Sequence, residues 1–396
     1  MPTRRTMRLD ELVGAPAGAA AGHAAGDADG FPPPVEIGSL AYDSSRVQPG
    51  ALFFCVPGLR HDGHDFAPDA LARGAVALVV EHPLGLGVPE IVVPSARGAM
   101  GPMAARFYGE PSAALSLIGV TGTNGKTTTA FMVRKLLECA GERCGLLGTV
   151  KSVIGGTERP AGRTTPEAID LQGDLRAMLD GGDGACAMEV SSHALALGRT
   201  SALRFAVAIF TNLTQDHLDF HRDMEEYFQA KRALFVPGRD GALDGVGRQA
   251  AGAPAAGARI GGPPAAVPAD TRPVAPSHSV INVGDPYGRR LAAELSGAIT
   301  FAVLADGRED EEDGDAALAS ADFRALDVRC DAAGSHFTLV HPEGRCEVTM
   351  AMPGRFNVAN ALGAIAAARA LGVALAPMLE RLERPIAVPG RFERVD

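Results

Sequence analysis

The stretch Gly119-Val-Thr-Gly-Thr-Asn-Gly-Lys126-Thr-Thr-Thr129 follows an apolar segment, 115–120, and opens a segment with the pattern of a helix. A glycine turn between a strand and a helix, with Gly-Lys-Thr at the helix start, is typical of loops that hold nucleotide phosphates. Its glycines let backbone amides close around phosphate oxygens, and Lys126 can reach the outer phosphates. The stretch therefore predicts an α/β domain with a phosphate site where a strand meets a helix.

The loop is a variant of the standard phosphate-loop pattern, because that pattern has a glycine where Val120 stands here. In the phosphate-binding interpretation, a hydroxyl of Thr127 or Thr128 meets Mg²⁺. A plain glycine turn followed by a solvated lysine is the alternative interpretation.

Composition narrows the class of protein. A length of 396 residues suggests about two or three domains, and a formal charge of −10 argues against a general nucleic-acid binder. The 6 cysteines show neither Cys-x-x-Cys pairs nor zinc spacing, so reduced thiols are expected. No signal-peptide core follows Arg4 and Arg5, and no apolar run is long enough to span a bilayer. We therefore expect a cytoplasmic protein.

Two units follow from the distribution of strands and helices. The first 110 residues are predicted as a small N-terminal α/β domain, with 1–34 partly disordered, strands at 52–56 and 75–80, and a helix at 66–73. Beyond it, strands alternate with helices, which predicts a mainly parallel sheet covered on both faces, with ligands at the strands' carboxyl ends. This central domain, 111–390, has strands predicted at 115–120, 143–147, 185–190, 205–212, 280–283 and 299–304, and helices at 127–140, 167–179, 224–235 and 356–371.

The last part of the central domain and two insertions depart from this alternation of strands and helices. Alternation of apolar and polar residues in 323–329, 335–341 and 345–351 predicts an antiparallel extension of the sheet. Residues 237–277, rich in Gly, Ala and Pro, are predicted as a flexible insertion because they cannot bury enough surface to become ordered. Residues 305–315 are crowded with Asp and Glu, and there a flexible, solvated loop is favoured over a metal site.

Polar clusters occur beside the predicted phosphate loop. Arg163-Thr164-Thr165-Pro-Glu precedes a helix, so its hydroxyls would face an anion there, although an ordinary helix cap explains the motif equally well. Glu189 ends a predicted strand, where a carboxylate suits Mg²⁺, and a pair with a surface lysine is the alternative. Arg199 is either a donor to a diphosphate or a solvated arginine.

A similar polar cluster, Thr211-Asn-Leu-Thr-Gln-Asp216-His217, ends the next predicted strand. His217 is a candidate metal ligand or base. In the alternative, Asp216 caps a helix and His217 has a structural role. Lys231, on the predicted helix 224–235, is by its chemistry alone an ordinary solvated lysine.

Together and in this order, the motifs resemble the Mur ligases, in particular the MurE type, over about residues 43–396. The resemblance implies an ATP-dependent amide-bond ligase of peptidoglycan synthesis, a monomer that uses Mg²⁺. It would join meso-diaminopimelate or L-lysine to UDP-N-acetylmuramoyl-L-alanyl-D-glutamate through an acyl phosphate. A sister ligase of the MurF, folylpolyglutamate or cyanophycin synthetase type is the alternative, against which the serines after Glu189 and the block at Asp43 argue.

The resemblance also implies roles for individual residues. ATP would be bound by Gly122, Thr123, Asn124, Gly125, Lys126, Thr127, Thr128, Asn357, Asn360 and Arg391. Mg²⁺ would be held by Thr127, Glu189, His217 and a carbamylated Lys231, and Lys126, Glu189, His217 and Lys231 would be catalytic. The UDP-sugar dipeptide would contact Ser44, Arg163, Thr164, Thr165, Ser191 and Arg199.

The resemblance also makes predictions about the N-terminal block and the C-terminal residues of the chain. Asp43-Ser-Ser-Arg46-Val-x-Pro-Gly is similar to the family's uridine-diphosphate block, with Ser45 at the usual arginine position. In an extended segment, Arg46 would point to the face opposite that of the usual arginine, because it is displaced by one residue. The family pattern continues past Asp396 into a third, Rossmann-like domain, so residues 391–396 are expected to be a linker stub. We expect a chain that binds the UDP-linked substrate and ligates poorly alone; a non-catalytic binding module is the alternative.

Overall fold

The computed structural model describes residues 5–13, 35–58, 60–236, 274–304 and 316–390. Outside these ranges lie most of the predicted insertion 237–277 and all of 305–315. Most of the predicted disordered N-terminus, the predicted linker stub 391–396 and the predicted ATP contact Arg391 lie outside them as well.

The N-terminal part is the small α/β unit that its apolar runs predict. Its strands are β1 (Met7–Arg8), β2 (Glu36–Ile37), β3 (Ser39–Ala41), β4 (Ala51–Phe54), β5 (Ala75–Val80) and β6 (Glu90–Val92). Its helices are α1 (Leu9–Val13), α2 (Ala67–Ala72) and α3 (Ala96–Tyr108), with 3₁₀ turns at Ser44–Arg46 and Gly63–Phe66. Strands β3 to β6 form a parallel sheet in chain order, and β1 pairs antiparallel with β2.

The central part alternates strands and helices as predicted. Its strands are β7 (Ser116–Thr121), β8 (Cys144–Leu147), β9 (Lys151–Ile154), β10 (Thr157–Pro160), β11 (Ala185–Glu189), β12 (Val207–Phe210), β13 (His278–Asn282), β14 (Ile299–Val303), β15 (Phe323–Cys330), β16 (Ser335–His341) and β17 (Gly344–Met350). Its helices are α4 (Pro111–Ala114), α5 (Lys126–Glu138), α6 (Ala168–Asp180), α7 (Ser192–Ala196), α8 (Met224–Arg232), α9 (Pro286–Glu294), α10 (Ala316–Ala319), α11 (Arg355–Ala370) and α12 (Leu375–Leu382).

The strands of the central part form one sheet, in the order β10-β9-β8-β11-β7-β12-β13-β14-β15-β16-β17 among the described residues. The seven neighbouring strands β8, β11, β7, β12, β13, β14 and β15 are parallel, and β16 and β17 add the predicted antiparallel extension. A second antiparallel extension, the hairpin of β9 and β10 on the opposite edge, was not predicted. Its turn is Gly155-Gly156, both with positive φ, which is a hairpin signal that the sequence already contains.

The parallel sheet separates two apolar clusters. Alternate residues of β7 point to opposite faces, so Ile118 and Val120 pack with α5 and α11, while Leu117 packs with residues of α6 and α8. Because β11, β7 and β12 are parallel neighbours, the loops at their carboxyl ends lie side by side along one edge of the sheet. Among the described residues, no helix is long and apolar enough to cross a bilayer.

Candidate active site

The loop between β7 and α5 has a backbone that only glycine fits at two positions. Gly122 has φ +145° and Gly125 has φ +87°. A Cβ on Gly122 would overlap Oγ1 of Thr211, and one on Gly125 would overlap Oδ1 of Asn360. Gly125 is the N-cap of α5 and supplies no side-chain hydrogen bond to the first turn, whose amides have no partner within the helix. These amides suit a phosphate group.

The loop is held in place by the segment that follows β12. The amide of Thr123 donates to the carbonyl of Asn212 (2.9 Å), and the amide of Asn124 donates to Oδ1 of Asn212 (2.9 Å). Oγ1 of Thr211 donates to the carbonyl of Asn124 (2.6 Å). The sequence did not single out Thr211 and Asn212 for this role, because only the pairing of β7 with β12 brings them to the loop.

Two lysines converge on one carbonyl of the loop. Nζ of Lys126 donates to the carbonyls of Gly122 (2.9 Å) and Thr123 (2.8 Å), and Nζ of Lys231 also donates to that of Gly122 (2.9 Å). Lys231 is 1% exposed and its Nζ lies 4.6 Å from the ring centre of Tyr227. The expectation of a solvated Lys231 is therefore wrong. Burial, with the charge of Lys126 nearby, lowers the pKa of Lys231 well below its ordinary value.

Glu189, at the end of β11, is 1% exposed, so it is not the surface carboxylate of the alternative interpretation. Its Oε1 accepts the amide of Thr149 (2.7 Å), and its Oε2 accepts the hydroxyls of Thr127 (3.0 Å) and Thr149 (3.1 Å). A carboxylate and hydroxyls are the hard oxygen donors that Mg²⁺ prefers, so the residues present fit such an ion. The sequence did not single out Thr149.

His217 has φ +54°, a left-handed conformation that a residue with a side chain rarely adopts. Its Nε2 lies 3.5 Å from Oδ2 of Asp216, and its ring lies edge-on to that of His193, with 4.9 Å between centres. Asp216 does not cap the next helix, because the N-cap of α8 is Asp223. The capping alternative for Asp216 is therefore wrong.

A cavity of about 700 Å³ brings most of the predicted residues together. It is lined by Thr123, Asn124, Gly125, Lys126, Thr127, Thr149, Arg163, Thr164, Thr165, Glu189, Ser191, His193, Arg199, Asp216 and His217. Lys231 and Ser44 are not among the lining residues. No group of three or more His, Cys, Asp or Glu in the described ranges has the arrangement of a metal site.

A second cavity, of about 890 Å³, lies on the other side of the loop and shares Asn124 and Gly125 with the first. Asn357 and Asn360, at the start of α11, line it together with Thr128 and the exposed ring of Phe356. The amide Nδ2 of Asn357 donates to the carbonyl of Pro353 (2.8 Å), which fixes its orientation.

The Thr-Thr-Pro segment is not an ordinary helix cap. The N-cap of α6 is Glu167, without a side-chain capping bond. Oγ1 of Thr165 instead donates to the carbonyl of Glu189 (2.9 Å) and accepts the amide of Ser191 (3.2 Å). Arg199 is not solvated either: its side chain is 16% exposed and its Nη1 donates to the carbonyl of Thr165 (3.2 Å).

The N-terminal block differs from the extended conformation expected for it. Ser44–Arg46 is a 3₁₀ turn that begins after Asp43, whose carboxylate accepts the amide of Ser45 (2.9 Å). The turn directs Arg46 to α6, where its Nη1 lies 3.3 Å from Oδ1 of Asp170. The extended conformation expected for this segment is therefore wrong.

Comparison with known proteins gives the family. The pattern of the Mur ligase middle domain matches residues 120–242 and 272–368, and that of the Mur ligase family, catalytic domain, matches residues 36–108. The chain belongs to the Mur ligase family.

A curated relative supports the assignment to this family. The UDP-N-acetylmuramoyl-L-alanyl-D-glutamate--2,6-diaminopimelate ligase of Geobacillus thermodenitrificans is 41% identical over 365 residues, which are 91% of this chain and 65% of the relative. The chain thus spans about two thirds of the length of this curated relative.

Solved structures share the fold. A structure of a ligase with that same name has a TM-score of 0.71 at 24% identity, over 99% of this chain and 69% of that chain. MurF ligase from Thermotoga maritima in complex with ADP has a TM-score of 0.56 at 19% identity, over 89% of this chain and 67% of that chain.

Proposed function

We propose that this Mur ligase chain binds ATP and UDP-N-acetylmuramoyl-L-alanyl-D-glutamate and serves the ATP-dependent addition of 2,6-diaminopimelate to that substrate. The observation that carries the proposal is the single cavity that joins the phosphate loop and buried Glu189 to Thr164, Thr165 and Arg199. Nucleotide phosphates and an acidic substrate can meet there. The name of the 41% identical relative supports the choice of diaminopimelate over lysine.

In the proposed reaction, the substrate's D-glutamate carboxylate attacks the γ-phosphate of ATP, and ADP leaves. The amine of the incoming amino acid then attacks the acyl phosphate, and inorganic phosphate leaves. Lys126 and the first-turn amides of α5 offset phosphate charge, and the Arg163 and Arg199 side chains orient the acidic substrate. Thr127, Glu189 and His217 would hold Mg²⁺, which when bound would offset charge on the transferring phosphoryl group.

Lys231 would enter this site as a carbamate. Carbamylation requires the neutral amine, and the lowered pKa of the buried Lys231 amine favours that form at neutral pH. A carbamate would replace the amine that donates to the carbonyl of Gly122 with oxygen atoms that could hold a second Mg²⁺. The adenine would occupy the second cavity, beside Asn357 and Asn360. Because ATP and UDP-linked precursors are cytoplasmic, a cytoplasmic location is part of the proposal.

Binding and turnover on the purified chain of residues 1–396 test the proposal separately. Calorimetric titration with the UDP-linked substrate and with ADP-Mg²⁺ should show saturable binding of each. A ligation assay with ATP and diaminopimelate, or lysine in its place, then measures turnover. Binding without turnover identifies a binding module, and failure to bind the UDP-linked substrate overturns the proposed function.

A further inference from the structure

Glu167 connects three arginines from different parts of the chain. This carboxylate is buried at 5% exposure. Its Oε1 accepts Nη1 of Arg163 (2.8 Å) and lies 3.1 Å from Nη2 of Arg199, while its Oε2 accepts Nη1 of Arg97 (3.0 Å). Among the described residues, no other carboxylate lies within 4 Å of these three guanidinium groups. The group therefore carries an excess of positive charge.

Two of the three arginines face the cavity that holds the phosphate loop. Arg163 and Arg199 line it, beside Thr164 and Thr165. Nε of Arg199 is buried and has no hydrogen-bond partner in the described part of the chain. A buried N–H donor without a partner is energetically unfavourable. Arg163 and Arg199 therefore bring positive charge to the wall of this cavity.

The third arginine connects the site to the N-terminal part. Arg97 lies in the first turn of α3, and it does not line the cavity. Its guanidinium reaches the oxygen of Glu167 that Arg163 and Arg199 leave unoccupied. One carboxylate thus joins the N-terminal α3, the segment before α6 and the segment after α7.

We propose that Glu167 is a positioning residue. It holds the guanidinium groups of Arg163 and Arg199 in the orientation that receives the anionic groups of the UDP-linked substrate, and its bond to Arg97 fixes the N-terminal part against them. This inference rests on the proposed function. A purely electrostatic role of Glu167 would have the opposite effect on substrate affinity. The negative charge of Glu167 by itself disfavours an anion, so without an orienting role its removal would strengthen substrate binding.

The test is the affinity of the Glu167→Gln chain for UDP-N-acetylmuramoyl-L-alanyl-D-glutamate, measured by calorimetry beside its affinity for ADP-Mg²⁺. Glutamine keeps the shape and removes the charge that holds three guanidiniums. We expect the substrate Kd to rise at least ~10-fold, about 1.4 kcal/mol, while the ADP Kd changes less than ~2-fold. In turnover, KM for the UDP-linked substrate should rise more than kcat falls.

Two variants complete the design. Glu158→Gln removes an exposed carboxylate from β10 that pairs with Lys151, and it should leave both affinities unchanged. Arg97→Gln alters a residue outside the cavity and should weaken substrate binding in the same direction, by ~3-fold or more, with an effect that is not additive with Glu167→Gln. If Glu167→Gln fails to fold by circular dichroism, Glu167→Asp carries the test, because it keeps the charge and shortens the side chain that reaches the guanidinium groups. A substrate Kd for Glu167→Asp within ~2-fold of that of the unaltered chain would overturn the positioning role.

The outcomes separate the two proposals. Failure of the unaltered chain to bind the UDP-linked substrate overturns the proposed function. Binding by that chain with an unchanged or tighter Kd in Glu167→Gln overturns the positioning role alone. A loss of ADP affinity equal to the loss of substrate affinity also overturns it, because that pattern indicates general damage to the fold.

Discussion

At the scale of single residues, Gly122 shows how the phosphate loop depends on the absence of a side chain. In Gly122→Ala, the added methyl group would overlap Oγ1 of Thr211, in a backbone conformation with φ +145°. We expect a loss of about 2–4 kcal/mol in unfolding free energy and an ADP Kd raised at least ~10-fold. Denaturant titration and calorimetry measure these effects.

Gly141 provides the control for that change. It also has positive φ, +85°, but nothing lies within 4 Å of a Cβ there. Gly141→Ala should therefore cost only about 1–2 kcal/mol of stability, from backbone strain, and leave the ADP Kd unchanged. Equal effects of the two substitutions on ADP binding would show that the contact with Thr211 is irrelevant.

Lys231 is the residue whose role depends most on its surroundings. Lys231→Ala should reduce ligation at least ~100-fold, about 2.7 kcal/mol, because it removes the proposed carbamate. The unaltered chain equilibrated with ¹³C-bicarbonate should show a carbamate carbon resonance that the variant lacks. Lys135→Ala, on the outer part of α5 where Lys135 pairs with Glu138, should keep both turnover and the resonance. Full activity of Lys231→Ala would refute the role.

At the scale of elements, the start of α9 supports the loop after β12. Asp285, 8% exposed, caps α9 by accepting the amides of Tyr287 (2.9 Å) and Gly288 (3.1 Å), and it also accepts the amide of Leu213 (3.1 Å). Asp285→Ala leaves these donors without a partner, and we expect a loss of about 2–4 kcal/mol in unfolding free energy.

Asp223 is the matched cap for comparison. It is exposed and accepts one amide, that of Glu226 (2.8 Å), at the start of α8. Asp223→Ala should cost about 1 kcal/mol. In urea titrations, a loss for Asp285→Ala no greater than that for Asp223→Ala would contradict a role of Asp285 beyond helix capping.

The elements also show what a pattern can and cannot predict. The apolar runs predicted β7, β11 and β12 because strands buried on both faces need nearly continuous apolar residues. The hairpin of β9 and β10 was missed because Thr157–Pro160 is exposed throughout and carries no apolar signal. The turn at Ser44–Arg46 was mistaken for extended chain because its conformation follows from the Asp43 cap rather than from periodicity.

At the scale of the whole molecule, the packing of α6 near α3 affects a titratable group, Asp174. Burial, with Asp170 alongside, raises the pKa of Asp174 to about 6, although Arg159 and Arg46 act in the opposite direction. The native state therefore binds more protons than the unfolded state between about pH 4 and 6, and this contribution to stability is lost as pH rises through that range.

Asp174→Asn tests this titration. The variant should be more stable than the unaltered chain by about 1–2 kcal/mol at pH 7.5 and equal to it near pH 4. Thermal unfolding at the two pH values measures the difference. Asp180→Asn, which removes an exposed carboxylate that pairs with Arg176 at the end of the same helix, should give no gain in stability at pH 7.5. A gain in Asp174→Asn that is the same at both pH values would rule out the titration.

The amino-acid pattern alone predicts the alternating strands and helices, the glycine loop and the types of residue around it. Periodicity, glycine turns and the order of motifs are local properties of the chain. Three contacts come from the folding of the chain: Lys231 is buried against Gly122, Arg46 pairs with Asp170, and Glu167 holds Arg97 and Arg199. Each of these depends on segments far apart in the chain, and on burial, which changes the charge state a side chain prefers. No local pattern contains that information.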